Sequence, residues 1–196
     1  MYKNSDLIAG LIKSIRGSDP DAALYYFAMA NHGTDGKNMA YLASEILRTV
    51  SEDIGLADPQ AVAMAASVAG AASCTQPDWV ESALANVIIY AACAPKSDAV
   101  YKALQKAKQA AARSLDATVP DHICWDSALP LYKNPHDYPN HYVWQQYLPD
   151  MVSEHRFYDP TSQGYEAQIT AHMTRLNQSE ADRQRVAHNL SAPDVK

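Results

Sequence analysis

The stretch Lys13-Ser14-Ile15-Arg16-Gly17-Ser18-Asp19-Pro20-Asp21-Ala22-Ala23 reads as the end of one helix, a two-residue corner and the start of the next. Gly17 is placed to take the left-handed conformation that closes a helix. Asp19 is placed to accept from the first backbone donors of the following helix, and Pro20 fits its first turn. Before the corner, Leu7, Ile8, Leu11, Ile12 and Ile15 recur at helical spacing over about 6–16. After it, a second helix is predicted over about 20–31, stopping at Gly33.

The same grammar repeats downstream. A third helix over about 39–52 carries Leu42, Ile46, Leu47 and Val50 and ends near Gly55. Asp58-Pro59 restates the cap-plus-proline start, and the helix it opens, to about 73, is nearly all small residues, a composition that predicts burial on several sides. A fifth helix over about 77–93 carries Trp79, Val80, Leu84, Val87 and Ile88 and is broken by Pro95. Ser97 is placed to cap a sixth, to about 115. Charged residues make up 19% of the 196, and only 7 are glycine, which favours helices over sheets.

Residues 118–160 differ. Six prolines, at 120, 130, 135, 139, 149 and 160, exclude long helices there. Trp125, Tyr132, Tyr138, Tyr142, Trp144, Tyr147 and Tyr158 are interleaved with them, which a disordered linker would lack. An ordered, irregular segment is expected, with a short helix near 144–147. A last helix over about 164–176 precedes a charged extension, 177–196, with Ser179 as a candidate cap and fraying expected. Within a compact all-α unit, 1–176, the reading therefore separates a helical block (5–116), a Pro/Tyr-rich segment (117–163) and a closing helix (164–176).

The chemistry-bearing patterns are few. The net charge of −6 gives no global reason to expect nucleic-acid binding. No apolar run approaches membrane-spanning length. Cys74, Cys93 and Cys124 are far apart and read as buried, reduced thiols rather than a zinc site. Gly33-Thr34-Asp35-Gly36-Lys37-Asn38 has the wrong glycine spacing for a phosphate loop. His136, Asp137 and His141 are of the right types for a small hydrolase or metal site, or else for a loop whose side chains cap backbone groups. Glu52 and Asp53 oppose the macrodipole at a helix C-terminus, so a cation such as Arg16 or Arg48 should compensate. Lys102, Lys106 and Arg113 fall roughly on one helical face, either a phosphate-contacting stripe or a solvated surface.

Four strings then stand together in order. The run Ser14-Ile15-Arg16-Gly17-Ser18-Asp19-Pro20-Asp21-Ala22-Ala23-Leu24 resembles the C-terminal region of the replication-associated recombination protein A family. These are bacterial AAA+ ATPases similar to the eukaryotic Werner-helicase-interacting protein and to clamp-loader subunits. Ser51-Glu52-Asp53-Ile54-Gly55-Leu56-Ala57-Asp58-Pro59 and Ala94-Pro95-Lys96-Ser97-Asp98-Ala99-Val100-Tyr101 resemble it too. So does a fourth, Gln146-Tyr147-Leu148-Pro149 followed by Arg156-Phe157-Tyr158-Asp159-Pro160-Thr161 and Gly164-Tyr165-Glu166. The likeness runs from about residue 6 to 176 and leaves the tail outside it.

The resemblance implies a non-catalytic piece of a longer parent, with Met1 an artificial start. The Walker motifs, and with them ATP and Mg²⁺, would lie in an N-terminal core, so no cofactor or metal is expected here. It implies an all-helical, clamp-loader-collar-like domain that assembles ATPases into a homotetramer. It also implies a cytoplasmic, nucleoid-associated parent that meets DNA ends and single-strand-binding protein at stalled forks, with no membrane partner. Motif residues Arg16, Gly17, Asp19, Glu52, Asp53, Pro95 and Lys96 are expected to fix helix corners, and Trp144, Tyr147, Phe157 and Tyr158 are candidate interface residues. Two departures stand out: Asp98 replaces an Asn common in relatives, and the segment around Trp125 to Pro139 is shorter.

Overall fold

In the computed structural model the chain is all-helical, with no strand among the residues described (4–34, 36–72, 74–125 and 132–191, with side chains to 178, Pro77 excepted). The helices are α1 (Asn4–Arg16), α2 (Pro20–Asn31), α3 (Met39–Asp53), α4 (Pro59–Ala72), α5 (Pro77–Cys93), α6 (Ala99–Arg113) and α7 (Glu166–Ser191). Asp35, Pro130 and residues 192–196, which figure in the sequence expectations, lie outside the described residues. Two compact units result: Met1–Leu104 with Tyr158–Ala167, and Gln105–Phe157 with Gln168–Lys196.

In the first unit α1 packs on α2 and α3 on α4, while α5 lies against all four. That position explains its sequence: Val80, Leu84, Val87, Ile88, Ala91 and Ala92 are buried. All but Ala92 meet Leu11 and Ile15 of α1, Phe27 of α2, and Leu42, Ile46 and Val50 of α3 in one core. Each Val, Leu, Ile or Phe so buried contributes roughly 1.5–3 kcal/mol of transfer free energy. Gly10 marks a close crossing, since a Cβ there would lie 2.9 Å from the Tyr26 ring of α2.

The corner between α1 and α2 closes as a Schellman motif. The Asp19 N–H donates to Ser14 O at 3.0 Å and the Ser18 N–H to Ile15 O at 3.1 Å. The left-handed residue is Ser18 (φ 61°), not Gly17 as the sequence suggested. Gly17 is the cap itself, where a Cβ would stand 3.1 Å from Lys13 O. Asp19 caps α2 through Oδ1, which accepts from the Ala22 N–H at 2.9 Å. Asp58 caps α4 in the same way, accepting from the Gln60 and Ala61 N–H groups at 3.1 and 3.3 Å.

Three expectations give way here. The small helix α4 buries only Ala61 and Ala65, because α3 and α5 are its main helical neighbours; Ala63, Ala66, Ser67, Gly70 and Ala71 face outward. The three thiols are exposed and free. Cys74 lies past the end of α4, and Cys93 is turned away from the Ala91–Ala92 side of α5. Finally, α7 runs on to Ser191, well past Leu176, with Ser179 inside the helix rather than capping it.

The second unit contains the Pro/Tyr-rich segment, ordered by side-chain to backbone bonds around short 3₁₀ turns at Asp121–Ile123, Pro135–Asp137, Pro139–His141 and Asp150–Val152. No helix forms at 144–147, contrary to expectation. The strand-like alternation there puts Val143 and Gln145 inward and leaves Trp144 59% exposed. Gln145, 9% exposed, grips Lys133 at both ends: its Oε1 accepts from the Lys133 N–H at 3.2 Å and its Nε2 donates to Lys133 O at 2.8 Å. Gln146 O pairs with His122 Nε2 at 2.7 Å, and the Tyr142 hydroxyl donates to Asn177 Oδ1 on α7 at 3.0 Å.

Candidate functional site

The first three strings singled out in the sequence, and residues 158–166 of the fourth, converge within the first unit, whereas 146–149, 156 and 157 belong to the second. Arg16 Nε donates to Asp53 Oδ2 at 3.0 Å, joining the first string to the second. The Asp53 carbonyl accepts from the Ser97 N–H at 2.8 Å, joining the second to the third. Lys96 Nζ reaches back to Ser18 Oγ at 3.2 Å. Glu52, the other half of the acidic pair, lies 3.1 Å from Arg48, which Glu45 also holds at 2.7 Å. Arg48 is thereby raised above its ordinary value, chiefly through its hydrogen bond to Glu45.

The fourth string enters through Glu166, the first residue of α7, which is 0% exposed. One carboxylate oxygen accepts from Ser97 Oγ at 2.8 Å, the Thr161 N–H at 2.8 Å and Thr161 Oγ1 at 2.6 Å; the other accepts from the Tyr158 hydroxyl at 3.1 Å. Burial pushes this carboxyl up, but the bonds from Thr161, Ser97 and Tyr158 outweigh it and hold the group below its ordinary value. Burial and the neighbouring carboxylate push the Tyr158 phenol up to about 12. The Tyr165 N–H donates to Ala57 O at 2.8 Å. Gly164 makes that approach possible: its φ is +48°, and a Cβ there would collide with Ala57 O and the Pro95 ring.

Lys96 completes the knot. Its ammonium donates to Ala92 O at 2.9 Å and Ala94 O at 2.6 Å, satisfying carbonyls at the end of α5. Burial lowers its pKa against the raising influence of Cys93 and Asp53. Pro95, between the two grips, packs toward Gly164. The side chains of Asp53, Lys96 and Glu166 are thus each held by groups from other strings, an arrangement that fixes segment positions. Among the described residues no buried side-chain nitrogen or oxygen lacks a partner.

The other candidates sit elsewhere. Lys102 is engaged by Asp98 at 2.9 Å, one turn earlier on α6. Lys106 and Arg113 instead line a groove in the second unit, of about 310 Å³, with Met151, Val152, His155, Arg156 and Phe157 opposite. His136 and His141 lie on exposed 3₁₀ turns with Nδ1 atoms 3.4 Å apart. No group of three metal-ligating side chains is present among the described residues. Of the candidate interface residues, Trp144 and Tyr147 are exposed, whereas Phe157 is half-buried beside His155 and Tyr158 turns inward to Glu166. No described helix is long and apolar enough to cross a membrane.

Two residues that hold these segments, Glu166 and Gln145, carry little signal in the sequence. The signal for Glu166 was a carboxylate just after a glycine at a helix start, flanked by Tyr158 and Thr161. Gln145 had none beyond the alternation of Val143, Trp144 and Gln145.

The first unit is thus a helical unit whose distant segments are locked together by ion pairs and caps. Residues 17–177 match the family described as MgsA AAA+ ATPase C terminal, and the chain belongs to that family. It is similar to the replication-associated recombination protein A of Haemophilus influenzae, 38% identical over 184 residues that cover 89% of this chain and 41% of that protein. The protein of the same name in Escherichia coli K12 is 38% identical over 173 residues, 84% of this chain and 38% of its own. That of Bacillus subtilis is 34% identical over 167 residues, 81% of this chain and 39% of its own. The chain spans about two fifths of the length of these relatives.

Proposed function

We propose that this chain is an oligomerisation module that holds copies of an AAA+ ATPase together, most simply as a homotetramer. The observation that carries the reading is an outward helical surface without charge. Residues 59–77 and 82–95 contain no Asp, Glu, Lys or Arg, although the chain has 38 such residues. α4 and α5 pack side by side. Their outer faces present Ala63, Ala66, Ser67, Gly70 and Ala71 with Ile89, while Trp79, 74% exposed, stands at the charged edge beside the exposed Asp78 and Glu81. Solvated helix faces carry charge, whereas faces that meet a partner lose it at their centre. The small residues of α4 would let a partner helix approach closely.

The knot supplies the rigidity such a role needs, because a ring of motors transmits force only if its holdfasts do not yield. The names of the relatives support a parent acting in replication and recombination. In that reading the parent hydrolyses ATP, meets DNA ends and single-strand-binding protein, and works in the cytoplasm on the nucleoid. A DNA-contacting role through Lys102, Lys106 and Arg113 is weaker, since Asp98 holds Lys102.

The test introduces charge where the face is bare. Ala63→Glu and Ala66→Glu are solvent-exposed changes with little expected effect on folding, and each should lower the mass measured by light scattering after size exclusion. Unchanged mass in both variants, alongside an assembled wild type, would remove this face from the assembly.

A further inference from the structure

Residues 134–142 of the second unit carry two histidines that the proposed assembly does not use. The turn is pinned by its own backbone: the Asp137 N–H donates to Asn134 O at 3.0 Å, the Tyr138 N–H to Pro135 O at 3.1 Å and the His141 N–H to Tyr138 O at 3.0 Å. Asn134 Oδ1 accepts from the His136 N–H at 3.2 Å, so the side chain that caps this backbone is Asn134. Pro135 and Pro139 open the two 3₁₀ turns and fix φ there. Asn140 and His141 both hold left-handed backbone, at φ 60° and 51°. Non-glycine residues visit that region singly as a rule, and strain of this kind concentrates at functional sites.

This path sets the His141 ring edge-on to the His136 ring, with centroids 5.4 Å apart and Nδ1 atoms 3.4 Å apart. That separation exceeds the roughly 2.7–3.2 Å of a good N–H hydrogen bond. Two nitrogens on one tetrahedral zinc ion, each bonded at about 2.0–2.1 Å, stand about 3.3–3.4 Å apart. At the right angle of square-planar or octahedral coordination, the same bonds bring them to about 2.8–3.0 Å. Both rings are exposed, and no third ligating side chain joins them among the described residues.

We propose that His136 and His141 chelate one Zn²⁺ ion per chain through their Nδ1 atoms, with water in the two remaining tetrahedral positions. Each ring then carries its hydrogen on Nε2. The donors select against Mg²⁺ and Ca²⁺, which take oxygen ligands. The separation of the nitrogens favours zinc over Cu²⁺, which prefers square-planar geometry. With two protein ligands the ion exchanges, unlike one closed in by four. Bound, it ties residue 136 to residue 141 and holds the strained turn shut. The proposal is independent of the oligomerisation reading.

The test is calorimetric titration of the reduced, full chain with zinc chloride, joined to hydrogen exchange and to the visible spectrum after titration with Co²⁺. One zinc should bind per chain. His136→Ala and, separately, His141→Ala should each weaken binding about tenfold or more, since a single imidazole remains, with circular dichroism confirming that both fold. Replacing Cys74, Cys93 and Cys124 together with Ser should leave it unchanged. The Co²⁺ form should show the intense visible absorption of tetrahedral coordination and no thiolate charge-transfer band. Zinc should slow exchange at the Tyr138 and His141 amides and leave α1 unaffected. Four results would overturn the proposal: no zinc uptake by the unmodified chain, undiminished uptake in either histidine variant, a weak octahedral Co²⁺ spectrum, or unchanged exchange at those two amides. Loss of zinc in the cysteine variant would also overturn it, since the ion would then sit on thiolates.

Discussion

Glu166 accepts hydrogen bonds from Ser97, Tyr158 and Thr161 at a position with no solvent exposure. Replacing it with Leu would strand those donors in the interior. The expected loss is about 2–4 kcal/mol, read as a lower denaturation midpoint at unchanged slope. The pH dependence has a definite sign. A carboxyl whose folded pKa lies below its unfolded value adds stability above the unfolded value and loses it as pH falls through the folded one. Wild type should therefore lose melting temperature more steeply below pH 4.5, the ordinary value for this carboxyl, than Glu166→Gln does. Gly164 gives a sharper local test. An alanine there combines a left-handed φ of +48° with a collision against Ala57 O, so Gly164→Ala should cost at least about 2 kcal/mol by chemical denaturation. The Arg16–Asp53 pair is different: Arg16 is more than half exposed, so Arg16→Ala should change stability by less than about 1 kcal/mol.

At the scale of the element, the helices of the first unit were legible because each carries its own punctuation. Asp19-Pro20 and Asp58-Pro59 announce helix starts, and periodic Leu, Ile and Val mark which face turns inward. What the sequence hid was tertiary. It could not tell that α4 has α3 and α5 as its main helical neighbours, so Ala63 and Ala66 looked like core while being surface. It could not separate Gly17 as cap from Ser18 as the left-handed residue, since both fit a helix corner. In the Pro/Tyr-rich segment, order comes from side chains gripping distant backbone, and Gln145 on Lys133 is the clearest case. Periodicity carries no trace of such a bond. Gln145→Ala should accelerate hydrogen exchange at the Lys133 amide about tenfold, the equivalent of roughly 1.4 kcal/mol of lost local protection. Exchange in α1 and α3 should not change.

The first three strings that suggested a family meet in space with the end of the fourth. That coincidence is physical: residues that fix the mutual positions of helix corners cannot vary freely, because each answers to a partner far away in sequence. It explains why kinship was readable while the face proposed for assembly was not, since α4 and residues 82–93 of α5 carry no charge and no motif. The proposed function requires these helices to meet copies of themselves. Sedimentation velocity on the unmodified chain over a wide range of concentrations measures this directly. The predicted result is a single species near four times the 21.5 kDa chain mass, giving way to smaller forms only on strong dilution. A species of one chain mass at every concentration would contradict it.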